Sequence, residues 1–135
     1  MILDTSVLFD TVIEGDRSPA ARDLVLETEL LSAPDLIRIE LAGALTRAVR
    51  RKYISADHAR AAMVLADGLL PELESSLGLT QRAFELSLDL VHPCSDCVFL
   101  ALAEREGRPL ATADARFANK LTGTPYARLV HLIEP

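Results

Sequence analysis

Apolar positions along this chain fall into two rhythms: short continuous runs, and longer stretches with apolar residues three and four apart. A continuous run suits a buried parallel strand, and three-and-four spacing suits a helix with one face turned inward. Residues 1–4 form a very short apolar strand ending in an acid, 30–33 a second strand and 72–77 a weaker third, with 109–112 and 128–133 completing the set. A helix is expected within 10–31 from about Pro19, where Ser18 can cap and proline suits the first helical position. Pro34-Asp35 opens a helix to about Lys52, Ser55-Ala56-Asp57 another to about Leu69, and Thr80 caps one to about Leu90. A further helix runs from about Ser95 to Glu106, where Gly107 takes the terminating position, and 114–121 is the last. Strands alternating with helices imply parallel crossovers. The fold class is α/β: a three-layer α/β/α sandwich around a central, mostly parallel sheet of four to five strands.

In such sheets ligands sit beyond the carboxyl ends of the strands. Asp4 ends the first strand and Asp114 follows the fourth. Asp96 lies in the first turn of its helix, where a carboxylate also suits the dipole. Each of these has a structural alternative as a helix cap. Glu40 does not. Its helix carries an apolar stripe at Ile37, Leu41, Ala44, Leu45 and Ala48, and Glu40 neighbours Leu36, Ile37, Gly43 and Ala44. A carboxylate inside an inward face needs a partner or must shift its pKa. An ion pair with Arg38 is the structural alternative. If these acids converge, two carboxylates about 4 Å apart repel by roughly 4 kcal/mol at an effective dielectric near 20. A divalent cation reverses that sign, and an all-oxygen donor set selects Mg²⁺ or Mn²⁺.

At 135 residues the chain is expected to be one domain, 1–135, large enough to fold without staples. With 50% hydrophobic residues it is globular, and no run reaches the length of a membrane span. The N-terminus has no basic, apolar leader, so a cytoplasmic location is the expectation. The net charge of −6 disfavours a generic nucleic-acid coat, which would be basic. It leaves room for an acidic metal site with arginines elsewhere. Cys94 and Cys97 form one C-x-x-C; with His92 the only nearby third ligand, a closed zinc site is not expected. A redox pair is the lesser alternative to structural thiols.

Four stretches in order resemble the PIN-domain ribonucleases, specifically the VapC-type toxins of bacterial toxin–antitoxin pairs. They are Leu3-Asp4-Thr5-Ser6-Val7-Leu8; Ala33-Pro34-Asp35-Leu36 leading to Glu40-Leu41; His92-Pro93-Cys94-Ser95-Asp96-Cys97-Val98-Phe99-Leu100-Ala101-Leu102-Ala103; and Leu110-Ala111-Thr112-Ala113-Asp114-Ala115-Arg116-Phe117. The resemblance implies a ribonuclease that holds Mg²⁺ or Mn²⁺ with Asp4, Glu40, Asp96 and Asp114, with Ser6 and Thr112 as supporting hydroxyls. It also implies a homodimer silenced by a cognate antitoxin protein. Ser95 departs from the tyrosine common in the family before the third acid, which bears on groove shape and substrate choice.

For RNA contacts, Arg47, Arg50, Arg51 and Lys52 cluster at the end of the Glu40 helix, and Arg116 follows Asp114 by two positions. A solvated helix end is the alternative for the first four. No interleaving of aromatic and basic residues suggests base stacking. His131 is expected to be packed in its strand. A non-catalytic reading, a receiver-like signalling domain or a PIN scaffold used only for binding, is the main rival. A receiver would want paired acids after the first strand, and a haloacid-dehalogenase-like phosphatase a second Asp where Ser6 stands.

Overall fold

The computed structural model describes residues 1–70 and 72–135. In chain order the elements are β1 Ile2–Leu3, α1 Thr5–Val12, α2 Ser18–Glu27, β2 Ser32–Pro34, α3 Leu36–Arg50, α4 Ala56–Leu69 and β3 Glu72–Glu74. A 3₁₀ turn, Ser76–Leu79, then leads into α5 Thr80–Leu90, α6 Cys94–Glu106, β4 Leu110–Thr112, α7 Ala115–Leu121 and β5 Val130–Leu132. The five strands form one sheet in the order β3-β2-β1-β4-β5, every pair parallel. The chain moves from β1 to one side and later returns to pair β4 on the other. The carboxyl ends of β1 and β4 therefore flank the topological switch point, where a sheet of this kind opens a crevice.

Each strand has only two or three residues, and the three central ones, β1, β2 and β4, are wholly buried. Ile2, Leu3, Ala33, Leu110 and Ala111 are fully enclosed. Helix α6 lies against β1, β2 and β4, and its residues from Cys97 to Ala103 are all buried. Helices α1, α2, α3 and α4 pack on one another, and α5 packs on α6. Arg108 ties the sheet edge down: its guanidinium donates to the carbonyls of Met1 and Leu30 and to Ser32 Oγ, at 2.9–3.2 Å. Among the described residues no single helix is long and apolar enough to cross a membrane; α5 and α6 qualify only as a pair bent by 114°.

Several local expectations need correction. Helix α1 was absent from them; Asp4 caps it by accepting from Thr5 N–H. Ser18 is inside α2, not its cap, and its hydroxyl bridges Gly15 N–H and Ile13 C=O across the preceding turn. Thr80 likewise begins α5 without capping it, its hydroxyl donating back to Ser76 C=O. Residues 75–77 leave the third strand to enter the 3₁₀ turn. His131 is exposed, since β5 is an edge strand and its alternate residues face outward.

Candidate active site

The cleft at the switch point has a volume of about 450 Å³, and Asp4, Glu40, Asp96 and Asp114 all line it. Asp4 is the most constrained. Its Oδ1 accepts from Thr5 N–H at 2.8 Å, and its Oδ2 from Ser6 Oγ at 2.8 Å and Thr112 Oγ1 at 2.6 Å. Those hydroxyls are held in turn: Ala113 N–H donates to Ser6 Oγ and Asp114 N–H to Thr112 Oγ1. The loop after β4 is thus laced to the first turn of α1. Despite three donors, which favour the anion, burial pushes the Asp4 carboxyl above its ordinary value, with the Asp96 charge adding to it.

Glu40 projects from α3, whose Ile37, Leu41, Leu45 and Ala48 are buried. Thr5 Oγ1 donates to its Oε1 at 3.2 Å. Its pKa is pushed up to about 7, first by burial, then by Asp96 and Asp4, against smaller opposing effects from Thr5 and Arg47. Arg38 does not neutralise it, being paired with Asp67 at 2.8 Å. Asp96 sits in the first turn of α6, where His92 Nε2 stands 2.8 Å from its Oδ2. Against an ionised carboxylate that nitrogen must donate. The same imidazole stacks on Phe117, with ring centroids 4.5 Å apart. Phe117 N–H also donates to Asp114 Oδ1, which caps α7.

Asp96 therefore lies close enough to raise the proton affinity of both Asp4 and Glu40, Asp4 adds to that of Glu40, and Asp114 shares their cleft. Among the described residues, however, no three His, Cys, Asp or Glu side chains are arranged to hold an ion together. Each carboxylate is engaged instead by protein donors. The donor chemistry nonetheless fits a hard divalent cation: the acids are all oxygen ligands, and a positive charge is what their mutual repulsion lacks.

Of the basic residues anticipated for RNA, Arg47 and Arg51 line the cleft. Arg50 faces a separate groove with Leu45, Val49 and Met63, and neither Lys52 nor Arg116 is among the lining residues. Sequence reasoning missed Phe9, Asp10, Arg17 and Tyr53, which also line the cleft. Cys94 and Cys97 are unbridged; burial first, then Cys94, pushes the Cys97 thiol up to about 11, opposite to a reactive thiolate.

The family model described as the PIN domain matches residues 1–120. The chain is 36% identical over 120 residues to "Ribonuclease VapC12" of Mycobacterium tuberculosis, covering 87% of this chain and 89% of that protein. It is 29% identical over 119 residues to "Ribonuclease VapC1" of the same organism, covering 87% of each.

Proposed function

Since the chain belongs to the PIN-domain family, we propose that it is a divalent-metal-dependent endoribonuclease, acting as one domain and serving as the toxin of a toxin–antitoxin pair. The observation that carries this reading is the convergence of four carboxylates, Asp4, Glu40, Asp96 and Asp114, on one cleft at the switch point. Such clustering is hard to retain for stability and useful for chemistry.

Asp4, Glu40, Asp96 and Asp114 are the residues that would hold the ion, Mg²⁺ or Mn²⁺. Bound there, it supplies an activated water and neutralises charge developing on the phosphate and leaving oxygen. The protein's own part is positioning. Three donors on Asp4 fix the orientation of its carboxylate. Ser6 and Thr112 carry that order to the Asp114 loop, and His92 fixes Asp96. One of these acids would also accept the proton that the attacking water releases. The partners implied are an RNA substrate, a cognate antitoxin and a second copy of the chain.

Purified protein is to be incubated with mixed RNAs, with Mn²⁺ or with EDTA, beside Glu40→Gln. Cleavage that needs the ion and falls at least about 100-fold in the variant is the expected result. Cleavage indifferent to EDTA, or undiminished by the substitution, removes the reading.

A further inference from the structure

One wall of the cleft is a single stripe of α3: Glu40, Ala44, Arg47, Ala48 and Arg51 all line the same space. Offsets of four, seven, eight and eleven are those of one helix face. At ~1.5 Å rise per residue, Arg47 stands roughly 10 Å and Arg51 roughly 16 Å along the axis from Glu40. Ala44 and Ala48, on the same face, present only methyl groups to the cleft. Beyond Arg51 the chain turns sharply. Lys52 takes φ 61, a left-handed backbone that a side-chain-bearing residue enters with strain, and Tyr53 N–H donates to Ala48 C=O at 2.9 Å. That turn folds Tyr53 back onto the cleft lining, where it stays 76% exposed.

The opposite wall offers no comparable charge. Arg17 donates to Asp10 at 2.7 Å, and that acid is buried. Arg47 and Arg51 enter none of the ion pairs among the described residues. Phe9 of α1 also lines the cleft but is partly buried against the core, so the exposed ring, Tyr53, and the two arginines outside ion pairs lie on the α3 side.

We propose that this wall is a subsite for an unpaired nucleotide beside the scissile bond: Arg47 and Arg51 contact phosphates, and Tyr53 stacks on the base. The inference rests on the ribonuclease reading and adds to it the residues that seat one base and its phosphates. A base inside a duplex has both faces covered by its neighbours, whereas an unpaired base can offer one face to an exposed ring.

Binding is separable from cleavage in the Glu40→Gln protein. The chain contains no tryptophan, so Tyr53→Trp in that background installs a single reporter. An unstructured oligoribonucleotide should quench it, and the same strand in a blunt-ended duplex should not. Tyr53→Ala should weaken oligonucleotide binding by about 5- to 150-fold and Tyr53→Phe should retain it. Arg47→Gln should lower the slope of log affinity against log salt by about 0.7, one phosphate contact on a single strand. Unchanged affinity in Tyr53→Ala, or a blunt-ended duplex bound as tightly as the single strand, overturns the subsite. If metal-dependent cleavage persists while Tyr53→Ala binds like its parent, the subsite alone falls. If Tyr53-dependent binding holds while the unsubstituted protein cleaves no RNA, the subsite stands and the ribonuclease reading falls.

Discussion

Removing the charge of Glu40 should make the metal-free protein more stable, and only above weakly acidic pH. The carboxyl moves from an ordinary 4.5 to about 7, mainly through burial and then through Asp96 and Asp4. At ~1.4 kcal/mol per tenfold change in proton affinity, the upper limit is roughly 3.4 kcal/mol, and partial solvent screening brings it to about 1–3 kcal/mol. The sign follows from a folded-state pKa above the unfolded one. Below pH 4.5 the group is protonated in both states and carries no penalty. Between 4.5 and about 7 the unfolded chain ionises first, so stability is lost progressively as pH rises; above 7 the whole penalty is present. Glu40→Gln abolishes the titration. Urea unfolding in EDTA should therefore find the variant about 1–3 kcal/mol more stable at pH 8 and nearly equal at pH 4.5. Mn²⁺ should stabilise the unsubstituted protein at pH 8 and narrow the gap. A variant less stable at pH 8, or a difference that does not change with pH, refutes the reasoning.

His92→Phe keeps the ring over Phe117 and removes the donor to Asp96; Mn²⁺ affinity measured calorimetrically should fall about 10- to 100-fold, with His92→Gln recovering part of it. Thr112→Val deletes the 2.6 Å donor to Asp4 and leaves a carboxylate oxygen short of a partner, costing about 1–3 kcal/mol in chemical denaturation at pH 8. Arg108→Met frees the carbonyls of Met1 and Leu30 together with Ser32 Oγ, and should lower stability by about 1–3 kcal/mol without altering Mn²⁺ affinity.

The parts legible in the sequence were those that depend on local chemistry. Leu3-Asp4 and Thr112-Ala113-Asp114 mark strand ends because an apolar run stops at an acid, and Glu40 stands out because its own helix face is apolar. Helix α1 was not legible in that way: Val7, Leu8 and Phe9 follow the first strand so closely that no turn signal separates them, and its cap is the same Asp4 that faces the cleft. The basic cluster was only half resolved. Arg47 and Arg51 lie seven and eleven residues beyond Glu40 on its face, while Arg50 is rotated onto the α3–α4 groove. Tyr53 depended on the left-handed Lys52, for which no glycine gave notice. Arg17 depended on the turn between α1 and α2 returning it to Asp10. His92 was equally hidden, since its role arises from the turn before α6 meeting Asp96 and Phe117 of α7.

Anomalous scattering from a crystal soaked in Mn²⁺ reaches the central claim most directly. A manganese peak among the carboxylates of Asp4, Glu40, Asp96 and Asp114, lost in Glu40→Gln, is the expected outcome. A cleft without such a peak, at Mn²⁺ concentrations that sustain RNA cleavage, would contradict the account.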